Sequence, residues 1–231
     1  MNTKKILVLQ HIEVETPGII LDLMKTKKLE YDCININEKS NAYNPTNYDA
    51  LIIMGGPMSV NDKEKYSFIK KEIELVKNYI KNNKPILGIC LGSQIIASAL
   101  GSKIYKNSKM ELGWHNVNLL GSDDSLFKGI DDQFLAFHWH GDVFSLPNKS
   151  KKLASSNLTK LQAFNYNNNC YGLLFHLEIN EQIINNLVDL FENDLIQESL
   201  KKEIVLNNLK KNLTEVNNTG RIIFNRWLSL I

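Results

Sequence analysis

Four continuous apolar runs mark the first 90 residues: KILVLQ (5–10), DCINI (32–36), ALIIMG (50–55) and PILGIC (85–90). Each has strand length and lacks the polar alternation of a strand with one wet face, so each is expected to be buried on both sides. Between the last two lies EKYSFIKKEIELVKNYIKNN (64–83), where Ile69, Ile73, Val76 and Ile80 form one apolar stripe among lysines and glutamates. That spacing predicts an amphipathic helix. A shorter helix is expected over 17–28, with Pro17 near its start. Buried strands alternating with helices imply parallel βαβ units and an open α/β sheet.

Beyond residue 101 the runs shorten and alternate: HNVNLL, FLAF, KLASS, LQAF and YGLLF. They predict antiparallel or mixed strands added to the same sheet. From Glu181 onward the pattern is mostly helical, and Asn217-Asn218-Thr219-Gly220 is the expected breaker. The organisation read from the pattern is a main domain over 1–180 and a helical C-terminal extension over 181–231 packed on it.

Composition narrows the function classes. The net charge of +2 comes from 27 basic and 25 acidic residues dispersed along the chain, which gives no basic face for nucleic acid or a membrane surface. No apolar stretch reaches the length of a membrane span. MNTKKILVLQH is too short for a secretory leader and suits a first buried strand. The three cysteines, Cys33, Cys90 and Cys170, form no CxxC pair and are odd in number. A disulfide framework or a zinc site is therefore not expected, and a reducing cytoplasm is.

The chemistry starts at GICLGSQ (88–94), where a strand ends in G-x-C-x-G and a helix begins. A cysteine there is filler, redox sensor, metal ligand or nucleophile, and its company decides which. Glycines on both sides remove side chains that would collide in a tight strand-to-helix turn, the form of a nucleophile elbow. The helix N-terminus favours a thiolate, and the amide of Leu91 is free to hold an oxyanion. A cysteine nucleophile wants a base. His176 ends YGLLF, and Glu178, two residues on, lies on the same side of an extended segment, where it can fix the tautomer and stabilise the cation. IIMGGPMSV (52–60) ends a strand in a Gly-Gly-Pro turn, which can present a second amide, chosen here as that of Gly56.

Taken together, MGGPMSV, GICLGSQ, ELGWHNV, FHWHGDVFSLP and GLLFHLE resemble the class I glutamine amidotransferases, and within them free-standing proteins similar to the glutaminase part of GMP synthase; the likeness spans roughly residues 5–180. The resemblance implies a flavodoxin-like, mostly parallel sheet with helices on both faces. It implies an amide hydrolase in which Cys90, His176 and Glu178 are catalytic and ammonia is released through a γ-glutamyl thioester. It also implies that Gln94 and the backbone of Trp139 and His140 hold the substrate glutamine, with no cofactor or metal. A separate synthetase or acceptor chain is the implied partner, since no Gly-rich phosphate loop is visible. Two alternatives stay open: a hydrolase of other γ-glutamyl amides or peptides, and a non-catalytic regulatory protein of the same fold. Leu177 stands where the family commonly has proline, a loss expected to loosen the base. His11, at the carboxyl end of the first predicted strand, either touches an acceptor, is structural or is merely exposed. Glu111 to Trp114 are expected at the mouth of the pocket.

Overall fold

The computed structural model describes residues 4–37 and 43–231. The first three residues, part of the segment read above as too short for a leader, lie outside that range. The chain begins β1 (Lys5–Gln10), α1 (Ile19–Thr26), β2 (Glu30–Asn35), β3 (Ala50–Ile53), α2 (Ser67–Lys81), β4 (Ile86–Ile89) and α3 (Leu91–Ala99). It continues through β5 (Ile104–Leu119), β6 (Gln133–Phe144), β7 (Lys151–Ser155), β8 (Ala163–Tyr166) and β9 (Cys170–Leu173). Four helices follow: α4 (Glu181–Leu190), α5 (Glu192–Gln197), α6 (Lys202–Leu206) and α7 (Leu209–Leu228).

All nine strands join one sheet in the order β2-β1-β3-β4-β9-β8-β7-β5-β6. The five strands from β2 to β9 are parallel, and the remaining pairings are antiparallel. The period of two in β1 assigns its side chains to two cores. Ile6 and Val8 pack with Ile20, Phe224 and Trp227 on one face, while Leu7 and Leu9 pack with Ile69, Val76 and Ile95 on the other. Helices thus cover both faces, and no described helix is long and apolar enough to cross a membrane.

Three expectations change. DCINI forms β2, but as an edge strand of the sheet, with none of the strand's residues buried and Cys33 exposed. The alternating runs HNVNLL and FLAF are the inner ends of a long β5–β6 hairpin that also contains ELGW and HWHGDVF. It was hard to read because Gly113 sits at a φ of 86° within β5 and the pairing register shifts between Lys106 and Glu111. The expected breaker at 217–220 does not break: α7 runs straight through it. Asn217 donates from Nδ2 to the carbonyl oxygens of Ile179 (2.9 Å) and Leu177 (3.4 Å). A methyl group on Gly220 would lie 2.5 Å from Leu177 O. The glycine is there for close approach, and the asparagine for docking. At the helix end, buried Trp227 donates to Ile86 O at 3.3 Å.

Gly220→Ala separates the two explanations by sign. Helix propensity alone would stabilise α7 by about 1 kcal/mol; the contact with Leu177 O is expected to destabilise the protein by about 1–3 kcal/mol instead. The guanidinium unfolding midpoint reads the sign directly.

Candidate active site

Cys90 links β4 to α3 at φ 50° and ψ −110°, a conformation costly for a side-chain-bearing residue. Backbone crowding holds it there. A methyl on Gly88 would lie 2.5 Å from the Gly92 carbonyl, and one on Gly92 would lie 2.1 Å from Ile53 O. Only glycines allow β4, α3 and β3 to approach this closely. The sulfur is left at the carboxyl end of the sheet, the side on which open α/β sheets hold their ligands.

His176 follows β9 and is anchored to β6 by a two-way backbone bridge with Phe137, at 2.8 and 3.2 Å. Its Nδ1–H donates to Glu178 Oε1 at 2.6 Å, which fixes the tautomer and leaves the other nitrogen for the thiol. The imidazole and the Cys90 thiol border the same cavity, and each favours the charged form of the other. Burial pulls the imidazole down, but Glu178 and the neighbouring Cys90 outweigh it and hold His176 well above the ordinary histidine value. Burial pushes the Cys90 thiol up; His176 and the Leu91 N–H pull against that, and Glu15 adds to it.

The leucine at 177 does not leave the base loose. Its N–H, which proline would lack, donates to Glu178 Oε2 at 3.0 Å, so each carboxylate oxygen has a donor. The carbonyl of Glu178 accepts from Ile19 N–H at the start of α1 (2.9 Å), and Asn217 of α7 binds the carbonyls on either side.

Cys90, His176, Gly56, Gln94, Trp139 and His140 all line one cavity of about 490 Å³, and Glu178 stands behind the imidazole. Gln94 donates from Nε2 to Asp142 O (3.2 Å), while its buried Oε1 has no partner among the described residues and is available to a ligand. The carbonyl of Trp139 accepts a long contact from Cys90 Sγ at 3.7 Å. Helix α5 supplies part of the outer wall: Asp194 accepts from Trp139 Nε1 (3.0 Å) and Glu198 from the Met110 N–H (3.0 Å).

His11 is not in the cavity. It is fully buried beneath the Gly-Gly loop, where Nδ1–H donates to Gly55 O (2.9 Å) and Nε2 faces both Glu72 oxygens at 3.2 Å. Burial lowers its pKa, yet Glu72 and the Gly55 carbonyl together raise it above the ordinary value, so both ring nitrogens donate. Because the peptide is trans, a Gly55 carbonyl held by His11 turns the Gly56 N–H away from His11. Neither Glu72 nor Glu15, whose carboxylate borders the cavity, was singled out from sequence.

ELGW is also displaced from its expected place. Glu111 is buried and accepts from Thr159 Oγ1 (2.9 Å) and Gln162 Nε2 (2.8 Å), while Trp114 donates to Val205 O (2.7 Å). Met110, one residue earlier, is the one that reaches the cavity; Glu111 and Trp114 border a separate hollow of about 370 Å³. Among the described residues, Glu111, His138 and His140 form the only cluster with metal-ligand spacing, their donor atoms lying within 4.8 Å of one another. Burial and neighbouring imidazoles hold both histidines below the ordinary value, His140 down to about 3. The carboxylate already has two donors, so the cluster serves as a buried polar network beside the cavity.

A family model described as glutamine amidotransferase class-I matches residues 18–195. One subunit of the glutamine-hydrolyzing GMP synthase of Sulfolobus acidocaldarius is 34% identical over 165 residues, covering 70% of this chain and 82% of that one. YfeJ, a glutamine amidotransferase-like protein of Salmonella typhimurium, is 27% identical over 166 residues, 70% of each chain. A crystal structure of a glutamine amidotransferase from Thermotoga maritima superposes with a TM-score of 0.90 at 27% identity, covering 99% of both chains.

Two substitutions test the electrostatics. Glu178→Gln removes the charge that raises the basicity of His176, so the imidazole takes the thiol proton less readily. Alkylation of Cys90 is then expected to shift to higher pH, followed on the peptide carrying Cys90 because Cys33 is exposed and also reacts. His11→Leu leaves the Glu72 carboxylate buried without its partner and is expected to cost about 3–5 kcal/mol in guanidinium unfolding.

Proposed function

The chain belongs to the class I glutamine amidotransferases, and on that footing we propose that it hydrolyses the side-chain amide of glutamine through a γ-glutamyl thioester on Cys90. The observation that supports this most is one cavity bordered by a strained thiol, an imidazole held by a carboxylate and a Gln94 oxygen without a partner among the described residues.

In the proposed reaction His176 takes the thiol proton while the sulfur attacks the glutamine Cδ. The resulting oxyanion is held by the N–H groups of Leu91 and Gly56. As the tetrahedral species collapses, the C–N bond breaks and His176 gives the proton to the departing nitrogen, releasing ammonia. Water, deprotonated by His176, then attacks the thioester; glutamate leaves and the thiol regains its proton. Glu178 stabilises the imidazolium in both halves without itself taking a proton. Gln94 Oε1 and the backbone of Trp139 and His140 are proposed to hold the amino-acid end of the substrate, which gives the selectivity expected of a site that pairs each polar group.

The Sulfolobus relative is named as one subunit of a synthase. By that likeness, we infer that the ammonia is passed to a separate synthetase chain. The wall formed by α5 makes the C-terminal helices part of the substrate site as well.

The test is ammonia release from glutamine by the isolated chain against Cys90→Ser. The expected result is turnover that falls by at least about 1000-fold in the variant. Cleavage of γ-glutamyl amines with glutamine left intact would move the assignment to the wider γ-glutamyl hydrolases. No acyl chemistry on any γ-glutamyl compound, with the fold intact, would leave the non-catalytic reading.

A further inference from the structure

Glu15 is more than nine-tenths buried and borders the cavity beside Cys90 and His176. Its carboxylate makes no hydrogen bond with any described residue, unlike Glu178, Glu72 and Glu111, each of which has its donors. A methyl group on Gly55 would lie 2.0 Å from Glu15 Oε2 and 3.2 Å from His176 Cε1, so the carboxylate and the imidazole edge flank the same point of the loop. The carboxylate therefore stands beside the imidazole that, in the proposed reaction, protonates the leaving nitrogen. The amino-acid end of glutamine is assigned to Gln94, Trp139 and His140.

Glu15 lines the cavity with its carboxylate lacking a donor among the described residues, where it raises the pKa of the very thiol that must ionise. Burial also raises its own pKa, against the pull of His176 and His11. Neither effect helps the free enzyme. Both are relieved by a ligand that brings N–H donors or positive charge to the site.

We propose that Glu15 forms a leaving-amine subsite, accepting an N–H of the substrate's γ-amide nitrogen. The proposal rests on the glutaminase reading above. The bond strengthens as His176 transfers its proton and the nitrogen gains positive charge, so the carboxylate favours the transition state over the bound amide. It also separates amide from acid. Glutamate would bring a second carboxylate against Glu15, which disfavours rebinding of the product.

The experiment compares glutamine with glutamic acid γ-methyl ester, whose leaving oxygen carries no N–H, in the wild-type chain, Glu15→Ala and Glu15→Gln. Loss of a charge-assisted hydrogen bond predicts that kcat/KM for glutamine falls by about 30-fold in Glu15→Ala, while ester cleavage stays within about 3-fold of wild type. An equal fall for both substrates would overturn the proposal, because the residue would then act on the shared acyl part or on the fold. No fall for either would overturn it too. A wild-type chain inert to both substrates would remove the glutaminase reading itself, and this subsite with it. Neither variant orphans a partner, so unfolding midpoints equal to or above wild type are expected. A check free of any variant uses the wild-type chain: glutamate should inhibit at least about 10-fold more weakly than the γ-methyl ester competes, and equal binding would contradict the subsite.

Discussion

The molecule's chemistry depends on backbone contact at one point, where β3, β4 and α3 meet through Gly88, Gly92 and the carbonyl of Ile53. No side chain fits there, so the turn between strand and helix is compressed and Cys90 takes a left-handed conformation. The surrounding fully buried strands make that strain sustainable, since Leu51, Ile52, Ile86 and Leu87 leave the segment nowhere to relax. The same turn leads straight into the first amide of α3, that of Leu91. The proposed nucleophile and the proposed anion-stabilising donor thus come from one local constraint.

The base is held quite differently. His176 and Glu178 lie past the end of β9 in a segment with little regular structure of its own, and they are fixed by what packs around them. Strand β6 bonds the backbone of His176, α1 bonds the carbonyl of Glu178, and Asn217 of α7 bonds the carbonyls on either side of it. An arrangement held from three sides tolerates leucine at 177, and the leucine N–H adds a donor to the carboxylate. The last helix, distant in sequence from the residues proposed as catalytic, thereby becomes part of the geometry of the proposed base. Beneath the loop opposite, the buried His11–Glu72 pair orients the Gly55 carbonyl in the same over-determined way.

Much of this was legible in the sequence where a residue's role is local. The buried strands β1, β3 and β4, the amphipathic α2, the G-x-C-x-G elbow and the His-x-Glu spacing all follow from short-range pattern, whereas the apolar run DCINI gave no sign that β2 takes the sheet edge. What escaped is set by contacts between distant segments. Gly220 has the composition of a breaker, yet it lies against Leu177 O, forty-odd residues earlier in the chain. Glu111 looked like a pocket-mouth residue because ELGW adjoins a motif that does line the cavity; strand alternation and the bulge in β5 turn it inward to Thr159 and Gln162. Glu15 and Glu72 carry no local signal at all. A glutamate in a polar loop and another on an amphipathic helix read as solvated until the fold buries both.

The central claim is that Cys90 carries the acyl group. Rapid-quench mass spectrometry during glutamine turnover reads this directly. The account predicts a γ-glutamyl mass increment on the peptide containing Cys90, formed before glutamate accumulates and lost as it does. Glutamine consumed at the same rate with no increment on that peptide would contradict it.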